Sequence, residues 1–283
     1  MFDIIKLKEK IFLSKFFKNK KKLFIDSIGT IKNNNKNSLV FLSKKKYSLN
    51  SVKNKDAIIL TDISNTKKNK NIIYTKKPRL IFCKILNYIS KKDLVKKENI
   101  INKISNKAII SKTAIIGKNV IIGKNSIIEN HVIINDNSTI GANCRIKEGA
   151  KIGVDGFAFE RDGDKIFNFP FFGNTIIKDN VEIGVNSSVS KANFGSTVIQ
   201  ENTKIDAFVQ IAHNVSVGKN CTITACCQIG GSVQIGDKVW LSPGANIINN
   251  VKIGNNCFVG IGSVVIKDIE NNRKVFGNPA RNI

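Results

Sequence analysis

Residues 108–152 read AIISKTAIIGKNVIIGKNSIIENHVIINDNSTIGANCRIKEGAKI, with isoleucine at 110, 116, 122, 128, 134, 140, 146 and 152. A helical stripe would repeat roughly every 3.6 residues and a half-buried strand every second residue. A strict step of six suits neither. It suits a strand–turn unit that sends one large side chain inward per short face, so that stacked coils bury a continuous aliphatic column.

The frame extends well beyond this stretch. It resumes at Ile177, Ile183 and Val189. After a short break at 190–198, which reads as a bulged corner, it continues without interruption from Ile199 to Val265. Two residues before each large aliphatic stands a small or β-branched one, as at Ala114, Val120, Ser126, Val132, Cys144, Val209, Cys221, Cys227 and Cys257. Four of the six cysteines therefore fall in a packing column and read as structural rather than reactive. Glycine often follows the large aliphatic, with Lys-Asn, Asn-Asn or Asp-Lys next, as tight turns with unusual backbone angles require. The pattern predicts a mainly β chain, a parallel β-helix of hexapeptide repeats over 108–268. A 269–283 tail follows it. Residues 156–174, GFAFERDGDKIFNFPFFGN, leave the frame with six phenylalanines and read as an excursion loop.

The first hundred residues have another texture. FIDSIGTI, SLVFLSKKKYSL, AIILTDI and NIIYT read as short strands, and Pro78 opens a segment with helical spacing. A small α/β domain over 1–100 is expected. Its basic start, from Ile4 to Phe24, reads as an amphipathic helix. Mixed charge there excludes a signal peptide, and membrane contact is expected to be peripheral at most.

Composition narrows the function. The net charge is +25 in 283 residues, but Lys, Asn and Ile are inflated together, as coding bias in an AT-rich genome produces. No basic stripe interleaves with aromatics, so a nucleic-acid surface is not expected. The cysteines form no CxxC pair and the chain has two histidines, which fits neither a zinc site nor a disulfide framework and points to a reducing cytoplasm. His213 falls two places after inward Ile211, on an outward turn, and is the leading catalytic candidate. His131 falls on a turn with no motif around it and reads as solvated surface.

Several segments together resemble the UDP-3-O-acylglucosamine N-acyltransferase family of lipid A biosynthesis, within the hexapeptide-repeat acyltransferases. They are SLVFLSKKKY and KKPRLIFCKIL in the first domain, GVDGFAF at 153–159, TKIDAFVQIAHNVSVG at 203–218 and IGGSVQIG at 229–236. The resemblance runs from about residue 23 to 266. It implies a left-handed winding, a homotrimer and a uridine-binding first domain. It also implies transfer of an acyl group, a 3-hydroxyacyl group in that family, from a thioester to the amine of a UDP-amino sugar. No permanently bound cofactor is implied; the donor is carried on phosphopantetheine, of acyl carrier protein or coenzyme A.

Matched residue by residue, the resemblance makes His213 the general base, Asp206 a group that orients or polarises it, and the Gly231 N–H the oxyanion donor. Phe41 and Tyr47 match the aromatics that sandwich uracil, with Lys44 between them where the family has Asn. Gln210, Asn214 and Asn250 are further expected substrate contacts, Asn250 standing where the family has a second histidine. Ser190-Lys191-Ala192 replaces a DRG, and the chain closes on VFGNPARNI, an ending more like coenzyme A-dependent sugar acetyltransferases. An acetyl or acyl transfer from coenzyme A to another nucleotide-linked amino sugar is therefore the alternative enzyme. A β-helical carbonic anhydrase needs three histidines for zinc. A purely structural β-solenoid is the non-enzymatic alternative.

The chemistry suits these residue types. Acyl transfer to an amine needs a base of near-neutral pKa, as imidazole supplies, and donors fixed where the thioester oxygen becomes an oxyanion. No Ser or Cys nucleophile is required.

Overall fold

The computed structural model describes residues 5–17, 23–43, 48–64, 70–96 and 101–282. They form two compact units, one drawn from 1–98 and 158–172, the other from 99–157 and 173–283.

The first unit is a five-stranded sheet with one helix. Its strands are β1 (Ile5–Phe12), β2 (Phe24–Ile28), β3 (Ser38–Leu42), β4 (Ile58–Thr61) and β5 (Ile72–Tyr74), in spatial order 1-2-3-4-5. β1 runs antiparallel to β2, and the rest are parallel. Helix α1 (Pro78–Lys91) packs on β3 and β4, with Phe82, Ile85, Leu86 and Ile89 fully buried. Pro78 at its first turn supplies a fixed φ where no N–H is needed.

The start of the chain is a strand where a helix was expected. Ile5, Leu7, Ile11 and Leu13 are buried while Lys6, Lys8 and Lys10 face outward. That alternation satisfies a sheet edge, and pairing with β2 outweighs the local helical pattern. Of the rest of the expected helix, Leu13–Lys15 is a single 3-10 turn and Phe24 opens β2, while residues 4 and 18–22 lie outside the described residues.

The 156–174 excursion is also more ordered than a loop. Phe159–Asp162 and Lys165–Asn168 pair as an antiparallel hairpin. The hairpin docks on α1. Lys84 Nζ and Lys77 Nζ reach Asp162 at 2.6 and 3.3 Å, Arg79 meets Glu160 at 2.7 Å, and Asn87 Nδ2 donates to the Asn168 carbonyl at 2.7 Å.

The second unit is a parallel β-solenoid, consistent with a left-handed β-helix. Three sheets of ten, eight and eight strands form its faces, and register pairs residues eighteen apart, as in Ile109↔Ile127↔Arg145. Strand pairing begins at Lys103–Ile104 and continues into Lys274–Phe276, so part of the tail is a further coil. Ile122, Ile128, Ile134, Ile140, Ile146 and Ile152 are all within 1% of full burial. Each such isoleucine contributes about 1.5–3 kcal/mol on leaving water. Cys144, Cys221, Cys227 and Cys257 are buried beside this column, and their thiols donate to carbonyls of Lys178, Gly236, Ser242 and Glu270. Burial pushes the Cys144, Cys221 and Cys227 thiols up, away from the reactive thiolate.

At the corners, glycine and asparagine divide the work. Left-handed φ falls mostly on asparagine, as at Asn119, Asn137, Asn143 and Asn180, between 55° and 62°. The glycine after the inward residue serves close approach instead. A Cβ on Gly123 would lie 2.5 Å from the carbonyl carbon of Gly141 and 2.6 Å from Ala142 N. Coils about 4.8 Å apart, the ordinary strand spacing, leave no room for it there.

Candidate active site

The corner that carries His213 is built unlike its neighbours. At most corners, the residue with left-handed φ donates its N–H to a backbone carbonyl of the preceding coil. Asn143 donates to Lys124, Asn180 to Ala142, Ser232 to His213 and Asn250 to Gly231. Asn214, with φ 60°, donates instead to the Thr197 hydroxyl at 2.8 Å. The coil before it has no ordinary corner to offer. There the frame takes ten residues, from Val189 to Ile199, and 191–195 forms a bulge.

The side chain of Asn214 closes the gap. Its Oδ1 accepts from the Asn193 N–H at 3.1 Å, and its Nδ2 donates to the Phe194 carbonyl at 2.9 Å. The same Oδ1 lies 3.1 Å from Nδ1 of His213. The imidazole is half-buried and lies over Gly231 of the next coil. A Cβ on Gly231 would sit 2.8 Å from Nε2. An open groove of about 750 Å³ starts at Asn214 and Ser216 and runs past Gln234 and Lys252 to Glu270 and Asn271.

The expected site residues are distributed unevenly. His213, Asn214, Gly231 and Asn250 share one edge of the rod. Asn250 is exposed two coils from Asn214, and Gln210 is exposed on the strand leading to His213, in register with Ser188 and Gln228. The Gly231 N–H donates to Asn249 Oδ1 at 2.9 Å, so in this structure it is engaged rather than open to an oxyanion. Equivalent bonds join Lys118 to Asp136 and Lys219 to Asp237, so this one belongs to a capping ladder along the rod.

Asp206 is not brought to His213 within the chain. It follows Ile205 on the preceding face and turns its carboxylate onto the Ala207 N–H at 2.8 Å. Phe41, in β3, is half-buried with its ring 4.9 Å from that of Phe82. Lys44 and Tyr47 lie outside the described residues.

Sequence reasoning passed over Thr197, Asn193 and Phe194. The one signal for them was the break in the six-residue frame between Val189 and Ile199. It also passed over Phe208, which is 60% exposed and holds left-handed φ of 57° at a corner. A bulky side chain rarely adopts that conformation.

The repeat is similar to that of the bacterial transferase hexapeptide family (six repeats), whose family model matches residues 113–148, 196–231 and 232–267. Over 80 residues the chain is 45% identical to UDP-3-O-acylglucosamine N-acyltransferase 1 of Francisella tularensis subsp. holarctica, covering 28% of this chain and 23% of that protein. Over 77 residues it is 47% identical to UDP-3-O-acylglucosamine N-acyltransferase of Porphyromonas gingivalis, covering 27% and 22%. The matched segments thus span less than a quarter of the length of either relative. Among solved structures, Francisella novicida UDP-N-acetylglucosamine acyltransferase aligns over 64% of each chain with a TM-score of 0.42 and 26% identity.

Proposed function

We propose that the protein is an acyltransferase that moves an acyl group from a thioester to the amine of a UDP-amino sugar, with His213 as general base. The observation that carries this reading is the placement of His213, in the segment IDAFVQIAHN, on a corner whose neighbours hold its ring rather than pack it away. The likeness to relatives named UDP-3-O-acylglucosamine N-acyltransferase supports the substrate class.

In the proposed reaction the amine nitrogen attacks the thioester carbonyl carbon while the imidazole takes the amine proton. The tetrahedral intermediate collapses, the C–S bond breaks, and the imidazolium protonates the departing thiolate. Amide and thiol are the products, with no oxidant and no acyl-enzyme. The Gly231 N–H would stabilise the oxyanion once the thioester oxygen displaces Asn249 Oδ1 from it. Asp206 stands one face away from His213 in the same chain, and the proposed assembly is a homotrimer. Phe41 and Tyr47 would hold the uracil ring, with Lys44 beside it. Gln210 and Asn250 would contact substrate along the edge of His213.

The donor would carry its acyl group, a 3-hydroxyacyl chain in the favoured case, on phosphopantetheine of acyl carrier protein or coenzyme A. A cytoplasmic location fits the six free cysteines. Among the described residues no helix is long and apolar enough to cross a membrane. The test is incubation with a panel of UDP-amino sugars and thioesters of both carriers, with products read by mass. Amide formation on a UDP-amino sugar is expected. Transfer only from coenzyme A to other nucleotide sugars would favour the alternative enzyme, and no transfer from any donor would leave a structural solenoid.

A further inference from the structure

We propose that Asn214 is a positioning residue that fixes the tautomer of His213, protonated at Nδ1 and basic at Nε2. The inference rests on the reading of His213 as base and adds how that base is prepared.

The argument begins with the orientation of the Asn214 amide. A backbone N–H can only donate and a backbone carbonyl can only accept. Asn193 N–H therefore faces the amide oxygen, at 3.1 Å, and the Phe194 carbonyl faces the amide nitrogen, at 2.9 Å. These two contacts choose one of the two ways the amide can lie. The oxygen then faces His213 Nδ1 at 3.1 Å, and an oxygen there calls for a proton on Nδ1. Nε2 is left with its lone pair, on the side of the ring that rests over Gly231.

The backbone is held just as firmly. Asn214 adopts left-handed φ of 60°, which Asn tolerates better than most residues, and its N–H is fixed by Thr197 Oγ1 at 2.8 Å.

Elsewhere the corner asparagines have a different employment. Asn119 bonds Asn137 at 2.9 Å, Asn125 bonds Asn143 at 3.1 Å, and Asn256 bonds Asn272 at 3.0 Å, side chain to side chain along the rod. Asn214 has no such partner in the following coil, where the equivalent residue is Ser232. Its amide turns to the 191–195 bulge and to the imidazole. The bulge thus acts as a clamp on the residue that orients the base.

The test uses the full-length protein labelled with ¹⁵N at histidine, in which only His131 and His213 give imidazole signals. Two-bond proton–nitrogen correlations distinguish the tautomers, and His131 is the internal control. The wild type is expected to show His213 protonated at Nδ1. Asn214→Gly keeps the left-handed corner and removes the amide; the expected result is a shift toward protonation at Nε2. With it, kcat should fall on the order of 10²-fold, the low end of a general base's contribution. Asn214→Asp keeps an acceptor at Nδ1 but loses the donor to the Phe194 carbonyl, and should keep more of the Nδ1-protonated form and of kcat than Asn214→Gly.

A wild-type spectrum with Nε2 protonated overturns the proposal, as does an unchanged tautomer in Asn214→Gly. The spectra do not depend on turnover. Nδ1 protonation without acyl transfer would therefore remove the proposed reaction and leave the positioning intact.

Discussion

The imidazole of His213 rests on the bare α-carbon of Gly231, where a methyl group would lie 2.8 Å from Nε2 and 2.9 Å from Cε1. Glycine is needed here for space, since the backbone of Gly231 does not take left-handed φ. The adjacent Gly230 has a different constraint. A Cβ there would sit 2.7 Å from the backbone nitrogen of Asn249 and 2.8 Å from the carbonyl oxygen of Ile247.

The two glycines should therefore fail differently. Gly231→Ala is expected to leave thermal unfolding nearly unchanged and to lower kcat by about 10²-fold, because misplacing a catalytic group by an ångström has that scale of effect. Gly230→Ala is expected to lower the unfolding midpoint by several degrees, since it forces backbone apart between coils. Equal loss of stability in both variants would contradict the assignment.

His213→Ala should remove about 10²–10⁴-fold of the acylation rate with fold and oligomeric state unchanged. Turnover is measured by product mass and assembly by light scattering. Near wild-type turnover would exclude His213 as the base.

Thiol chemistry should be confined to one residue. Cys226 is exposed, whereas the other five cysteines are buried. Burial raises the Cys83 thiol to about 11, and the same effect acts on Cys144, Cys221 and Cys227. Titration of the native protein with a disulfide reagent should give one fast thiol, absent in Cys226→Ser. That variant should keep full turnover. A large loss would reinstate an acyl-enzyme.

Attachment of the 159–168 hairpin to α1 should weaken in acid. Hydrogen bonds from Lys84 and then Lys77 hold the Asp162 carboxyl below its ordinary range. A carboxyl whose folded pKa is lowered contributes its full stabilisation above its unfolded value near pH ~4, and loses it as pH falls through the folded value. Amide exchange in the hairpin should therefore gain protection between pH 3 and pH 6 beyond the intrinsic trend, and Asp162→Asn should flatten the gain. High salt should reduce it too, because these charges are solvent-facing.

Phe41→Ala should weaken UDP-sugar binding more than it lowers turnover, as calorimetry and saturation kinetics can separate. Phe41 also packs on Phe82, so the variant requires a check of unfolding temperature. Unchanged affinity would remove the uracil clamp.

The solenoid was legible because its instructions are local and repeated. Each six-residue repeat restates one inward aliphatic, one small neighbour and one left-handed corner. Ile110 to Ile152 and Ile199 to Val265 could therefore be assigned from spacing alone, and His213 could be placed outward on a turn. The segments that miscarried are those that occur once. Ile5, Leu7 and Ile11 carry a strand alternation that competes with helical spacing, and only pairing with β2 decides between them. The phenylalanines of 156–174 marked an excursion without saying that it would fold as a hairpin on α1.

At the site the division is similar. The six-residue period determined that His213 faces outward and that Gly231 lies one coil away. Only the tertiary structure decided that the Asn214 amide points its oxygen at Nδ1 and that Asn249 occupies the Gly231 N–H. The first of these depends on the bulge at 191–195, where the repeat is broken. Inside the repeat, a residue's neighbours in space follow from its number; inside the break they follow from hydrogen bonds that no period encodes.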